Sequence, residues 1–307
     1  MTDYKNLKLI ASSSPHIRSK DNTRSIMLDV IIALLPALVM SIYVFGVRAL
    51  TMVLVSVAAC VFWEWAYRKL LKKPQSIGDL SAVVTGILLA FVCPPTTPVW
   101  MLIIGGFFSI VVVKQLFGGI GKNFANPALV GRIVLFLSFS KTMTAWVFPD
   151  AVSSATPLAQ LAAGQKPELW TLLLGNHGGC IGETCALALL LGGAYLLLRG
   201  VITWQTPVCF VGTVFVLSLI LGQDAVRQIL SGGLLLGAFF MATDYVTAPQ
   251  TCWGRALFGI GAGLLTCLIR FYGSYAEGVS FAILFMNILT PYLSKWTRSK
   301  PLGGVPA

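Results

Sequence analysis

The 307-residue chain is 56% hydrophobic and 11% charged, with a mean hydropathy of +0.82 and a formal charge of +11. Soluble domains are less apolar and carry about a quarter charged residues, so a soluble globular class is excluded. The composition reads as an all-α integral membrane protein.

Runs long enough to cross about 30 Å of hydrocarbon predict about ten transmembrane helices. A polar arm, residues 1–25, comes first, with Lys5, Lys8, Arg18, Lys20 and Arg24. Because the first apolar block begins only near Ile26, a cleaved leader is not expected. The first half, 26–140, holds spans near Ile26–Phe45, Ala49–Tyr67, Asp79–Cys93, Pro98–Phe117 and Ala128–Ser140. A long polar loop follows, 141–179. The second half, 180–293, holds Cys180–Leu198, Pro207–Leu221, Gln228–Thr243, Trp253–Arg270 and Ala276–Leu293, before a tail, 294–307.

The third and eighth spans are short and run into Thr/Pro-rich turns that end in Trp100 and Trp253. They sit five spans apart. Halves with an odd number of spans are inverted relative to each other, so the pattern predicts two inverted five-helix repeats with interrupted third and eighth helices. Chance likeness of two Pro-containing turns is the plainer alternative.

Charge placement orients the chain. With the N-terminus inside, most of the 22 Lys and Arg fall on cytoplasmic segments, and the outside keeps only Arg48, Lys141, Lys166, Arg227 and Arg270. This places both termini in the cytoplasm and the long loop outside the cell membrane. It also accounts for the positive charge without nucleic acid.

Among charges inside the apolar slab, Glu64 lies near the cytoplasmic end of span two, Glu183 near the outer end of span six and Asp244 at the cytoplasmic end of span eight. Lys114 and Arg132 read as snorkelling to a cytoplasmic end. Buried acids point to ion passage, so Glu64, Glu183, Thr243, Asp244 and Glu277 are candidate path or gate residues; at a membrane interface the same acids also serve as caps and anchors. Cys60, Cys209 and Cys267 read as packing residues, and Cys180 and Cys185 lie near the outer face. His16 and His177 stand alone. No CxxC pair, Cys/His cluster, Walker loop, GxSxG or GxGxxG is present, so no metal site and no soluble-type active site is expected.

Two polar stretches carry more. In Phe117-Gly-Gly-Ile-Gly-Lys-Asn-Phe-Ala-Asn-Pro-Ala128, Gly118 and Gly119 permit close backbone approach, and Asn123 and Asn126 offer paired donors and acceptors suited to an uncharged heterocycle. A Gly-rich turn with Asn caps fits the same letters. In Asp150-Ala-Val-Ser153-Ser154-Ala155-Thr156-Pro157, small neighbours leave the Thr156 hydroxyl open to a bulky group, and Pro157 denies the next segment a donor. A simple surface turn remains the alternative.

Ser14-Pro15-His16-Ile17, the Gly118–Ala128 stretch, Ser153–Thr156, Gly182-Glu183-Thr184, Met241-Ala242-Thr243-Asp244 and Glu277-Gly278 follow one another as in a known family. The chain resembles the D subunit of Rnf electron-transport complexes, sister to the B subunit of the sodium-pumping NADH:quinone oxidoreductase. The resemblance spans nearly the whole chain. It implies a flavin-bearing subunit of an ion-translocating ferredoxin:NAD oxidoreductase, coupled to Na+ or H+ export. It further implies FMN esterified through its phosphate to Thr156 by a flavin transferase that reads Asp150, Ser153, Ser154 and Ala155. Ser154 departs from the glycine common there. A second flavin, riboflavin, is implied near Asn123 and Asn126, with Gly118 and Gly119. Implied partners are a second covalent-FMN subunit, iron–sulfur subunits and an NAD-binding subunit. A secondary transporter or channel without a redox group is the competing reading of inverted repeats.

Reporter fusions within the Asp150–Glu168 loop should report an extracytoplasmic position, and fusions after Lys295 a cytoplasmic one. A cytoplasmic signal from the loop would overturn the charge-based orientation.

Overall fold

The computed structural model describes residues 22–146, 155–273 and 277–298. Among the described residues all regular structure is helical. Asn22 opens α1 (Thr23–Phe45) through a reciprocal cap with Ser25, satisfying donors that the first turn leaves orphaned. Gly46, at φ +67°, turns the chain into α2 (Val47–Leu70), whose last turn holds Arg68 and Lys69 against the helix dipole. A 3-10 turn at Ile77–Asp79 leads to α3 (Ser81–Phe91), only 11 residues long. Pro94, Pro95 and Pro98 follow and cannot continue a helix.

The fourth span is α4 (Val99–Phe107), which widens into i→i+5 turns over Phe108–Gln115. Then α5 (Pro127–Ser138) starts with Pro at its first position and Asn126 as its cap. The long loop is not structureless: α6 (Ser140–Met143), α7 (Pro157–Ala162) and α8 (Leu169–Leu174) lie in it. The second half comprises α9 (Ala186–Leu198), α10 (Gln205–Ile220), α11 (Ala225–Leu230), α12 (Leu234–Leu236) running into i→i+5 turns at Gly237–Met241, α13 (Cys252–Tyr272) and α14 (Val279–Trp296).

Each of the ten predicted spans overlaps a helix. Among the described residues, only α1, α2 and α13 are both long and apolar enough to cross a membrane by themselves, and five further apolar helices are shorter. The interior is apolar around Phe91, Phe210 and Phe258, while large side chains such as Leu198, Tyr43 and Trp296 stand exposed at the perimeter. In water such a surface would aggregate; in lipid it is the matched one. The chain is a multi-pass membrane protein.

Helices approach through small residues, the mode expected where lipid supplies no hydrophobic drive. A Cβ on Gly192 would sit 2.1 Å from the Ala33 carbonyl, so α9 and α1 touch backbone to backbone. Helix α2 packs against α3 and α4, α10 against α13, and α5 against α14.

Two boundaries correct the sequence reading. The sixth helix begins at Ala186, not Cys180, because the chain turns at Ile181–Glu183 beside the end of α3: Ile181 N–H donates to Cys93 O (3.1 Å), Gly182 N–H to Phe91 O (2.9 Å), and Glu183 N–H back to Cys180 O (3.2 Å). The eighth span breaks in its middle as well as at its end, at Ser231-Gly232-Gly233, where Gly232 has φ +66°. A Cβ on Gly182 would lie 2.3 Å from the Phe91 side chain. Gly182→Ala should therefore destabilise the protein by about 1–3 kcal/mol through overpacking, seen as a lower melting temperature.

Candidate functional site

Polar groups buried in this apolar bundle gather around two cavities. The first, of about 360 Å³, lies between α1, α3, the turn before α5 and the end of the broken eighth span. Asn123, Asn126, Thr243 and Asp244 all line it, so the structure brings together residues that the sequence reading assigned to two separate roles. Asn126 is committed: its Oδ1 caps Ala128 N–H (3.1 Å) and its Nδ2 donates to Met241 O (3.3 Å). The Asn123 Oδ1 is buried and has no hydrogen-bond partner. A buried acceptor without a donor costs about 1–3 kcal/mol, so this oxygen is the one fitted to a ligand.

Gly118 and Gly119 do not line the cavity; Gly121 does. Both have positive φ, and they fold the turn back over the Lys122 stem and the Arg68 guanidinium. Asp244 accepts from Thr247 Oγ1 (3.1 Å) and Val246 N–H (3.5 Å), and Thr243 Oγ1 donates to Phe239 O (2.7 Å).

Glu64 sits behind this cavity, fully buried. Lys114 Nζ donates to its Oε2 (2.8 Å) and to Ser81 Oγ (2.6 Å), Gln115 Nε2 donates to its Oε1 (2.9 Å), and Ser76 donates to it as well. Lys114 does not snorkel: it is 2% exposed. The wide turns at Phe108–Gln115 bring the successive side chains of Lys114 and Gln115 onto one carboxylate, a departure from α geometry of the kind found at functional positions.

The second cavity, of about 250 Å³, lies against α5, α7 and the start of α14. Thr156 lines it and is 9% exposed. The residue caps α7, its Oγ1 accepting a long bond from Ala159 N–H (3.3 Å). Ala155 also lines the cavity, whereas Asp150, Ser153 and Ser154 lie outside the described residues. The walls are Phe136, Trp146 and Phe281, and one end is polar, with Arg132, Glu277 and Ser280.

Arg132 also contradicts the snorkelling expectation. It is 6% exposed, its Nη1 donates to Ser280 Oγ (2.6 Å), its Nη2 pairs with Glu277, and Glu183 Oε1 stands 3.7 Å from Nη1. The cation of α5 thus joins two acids that lie far along the chain. Its position within an apolar span was the available signal, since a buried ionisable residue needs a partner. His177, in the loop before residue 180, contacts Gly178 O (3.1 Å), and burial holds its imidazole below the ordinary range. All seven cysteines are free thiols.

Residues 10–303 match the model of the NQR2, RnfD, RnfE family. The chain belongs to that family. It is 48% identical over 305 residues to the D subunit of the Na(+)-translocating ferredoxin:NAD(+) oxidoreductase complex of Acetobacterium woodii, covering 97% of this chain and 96% of the relative. It is 41% identical to the D subunit of the proton-translocating ferredoxin:NAD(+) oxidoreductase complex of Clostridium ljungdahlii, covering 95% of each. The D subunit of the ion-translocating oxidoreductase complex of Actinobacillus succinogenes is 36% identical, covering 95% of this chain and 97% of the relative.

Lys114→Met would leave the buried Glu64 carboxylate with only the more distant Arg68, at 3.9 Å, as its cation, and losing the closer partner of such a pair costs up to about 3–5 kcal/mol. Lys114→Met combined with Glu64→Leu should recover most of that loss. Melting temperatures of the two variants check it; equal losses would show that the ion pair is not what the region depends on.

Proposed function

We propose that this chain is the flavin-carrying membrane subunit of an ion-translocating ferredoxin:NAD oxidoreductase. The observation that carries the reading is the setting of Thr156: a hydroxyl on the wall of an aromatic-lined cavity that the Arg132 guanidinium also lines. Aromatic walls suit a flat ring system, and a cation suits a group that gains negative charge. The residues present therefore fit FMN joined through its phosphate to the Thr156 oxygen. Bound there, a flavin supplies one- and two-electron transfer. Thr156 anchors it, Phe136, Trp146 and Phe281 exclude water, and Arg132 sets the local potential.

The first cavity fits riboflavin, with the unpaired Asn123 Oδ1 toward a ring-edge donor and Asn126 holding the turn in place. Lys114 and Ser81 form its polar end. Glu64, Glu183, Thr243, Asp244 and Glu277 are the proposed ion path.

The bundle is proposed to cross the membrane ten times, as two inverted five-helix halves. The packing of α2 on α4 is repeated by α10 on α13, and that of α4 on α5 by α13 on α14. The pairs α1 with α9 and α5 with α14 then join the halves. Both termini face the cytoplasm and Thr156 faces outside, as the charge asymmetry indicates. Iron–sulfur subunits, an NAD-binding subunit and a second covalent-FMN subunit are the proposed partners, and a flavin transferase the maturation enzyme. Export of one cation against 100 mV costs about 2.3 kcal/mol, which electron transfer must supply.

Thr156→Val keeps the shape and removes the ester oxygen. The mature chain should lose the mass of one FMN group and its in-gel fluorescence while still assembling, whereas Asn123→Leu should keep that mass and lose acid-extractable riboflavin. Flavin retained on the Thr156→Val chain would sink the assignment; wild-type protein lacking flavin would favour a transporter without a redox group.

A further inference from the structure

Among the described residues, one of the acids set within the bundle accepts no N–H or hydroxyl hydrogen bond. Glu64 accepts from Lys114, Gln115 and Ser76, Asp244 accepts from Thr247 and Val246, and Glu277 holds the Arg132 guanidinium. Glu183, 2% exposed, accepts no hydrogen bond from an N–H or hydroxyl group among the described residues; its polar neighbours are the Cys180 thiol and the Glu277 carboxyl. Its nearest cation, Arg132, stands 3.7 Å away and is already bonded to Glu277 and Ser280.

The second cation near it, Arg270, directs its hydrogen bonds to the carbonyl oxygens of Gln228 (2.7 Å) and Ser231 (3.1 Å). The remaining titratable groups within electrostatic reach are the thiols of Cys93 and Cys180. On its other side Glu183 packs against Gly233, where a Cβ would lie 2.4 Å from Oε1, so backbone of the broken eighth span closes over it.

An ionised carboxylate in such surroundings is strongly disfavoured unless a proton or a cation accompanies it. Ligand atoms are at hand for a cation: one oxygen each of Glu183 and Glu277 and the Cys180 sulfur lie within 4.8 Å of one another. Two oxygens and a thiol, with backbone nearby, are a weak set for a transition metal and a workable one for a small monovalent ion that must also leave. We propose that Glu183 is the exchangeable carrier of this protein, a carboxyl that takes up and releases a monovalent cation, H+ or Na+, while Glu277 stays paired to Arg132.

The proposal rests on the ion-translocating reading above and narrows its five candidate residues to one. It also gives the redox site a handle on the ion. Arg132 and Glu277 line the Thr156 cavity, and Arg132 is the residue that separates that cavity from Glu183. A negative charge gained in that cavity would engage the guanidinium more strongly, weaken its hold on Glu183 and favour uptake of a cation there.

The test is labelling of the intact, purified complex with dicyclohexylcarbodiimide, which adds across the O–H of a protonated buried carboxyl and rearranges to an N-acylurea, with nothing leaving. Peptide mass mapping should find the label on Glu183 and not on Glu64, Asp244 or Glu277. If the cargo is Na+, Na+ at ten times its Kd should slow labelling about tenfold relative to choline. If it is H+, Na+ should have no effect and labelling should fall as pH rises. Glu183→Gln should lose the label and keep the flavin mass on Thr156. Arg132→Gln, or Arg132→Lys if the former fails to assemble, should spread the label to Glu277. No label at Glu183, or labelling there indifferent to both Na+ and pH, overturns the proposal. Labelling does not require flavin, so a chain labelled at Glu183 but lacking flavin mass would discard the redox reading and keep the carrier.

Discussion

Every helix that stops inside an apolar bundle leaves backbone donors and acceptors that water does not reach, and this protein is organised around meeting that demand. The decisive interaction is the pairing of Ile181 and Gly182 N–H with the carbonyls of Cys93 and Phe91. It satisfies the end of α3 with the approach to α9, joining the two halves of the chain through hydrogen bonds as well as packing. Non-helical backbone is tolerated at such depth only where protein covers it. The Met241 carbonyl at the end of the eighth span receives the Asn126 amide in the same way. Both cavities lie beside these repairs.

The buried charges obey a related rule. Glu64 is matched by Lys114 and Glu277 by Arg132, each pair supplemented by hydroxyl or amide donors. A buried pair of this kind adds little net stability against an apolar replacement, while removal of one partner is costly. Such pairs are therefore better understood as setting the electrostatics of the cavities than as fastening the bundle. Lys114 lines the first cavity together with its partner Ser81, and Arg132 the second together with Glu277 and Ser280.

The helices are legible in the sequence because their signal is local: an apolar run bounded by Pro, Gly or charge. All ten runs overlap helices. Residues 180–185 mislead because Cys180-Ile181 is apolar enough to extend a span, and what holds the segment in a turn is the end of α3 at Phe91 and Cys93, some ninety residues earlier. Small neighbours and a following Pro single out Thr156, and a Gly-rich stretch and their spacing single out Asn123 and Asn126; each lines a cavity, the asparagines from an irregular turn and not from a coil. Lys114 and Arg132 escape a sequence reading for a different reason. Snorkelling and inward pairing look alike in one dimension, since each needs only a basic residue near a span end, and the partners of Arg132 lie far along the chain. Gly118 and Gly119 are indeed backbone-permissive, but the freedom serves the turn.

Helix α5 touches both cavities. Asn126, at its cap, borders the first, and Arg132, Ile133 and Phe136 border the second. Six residues separate Asn126 from Arg132, a rise of about 9 Å along the axis. The helix therefore serves as a ruler: groups seated in the two cavities are held at a spacing that neither loop movement nor side-chain rearrangement alters much. If the proposed flavins occupy the two cavities, the fixed helical rise would hold the distance over which an electron passes between them nearly constant. Diffusion or loop flexibility would not offer that constancy. The same feature limits how the sequence can change, for one inserted residue in α5 would lengthen the gap and also rotate Arg132 away from Glu277.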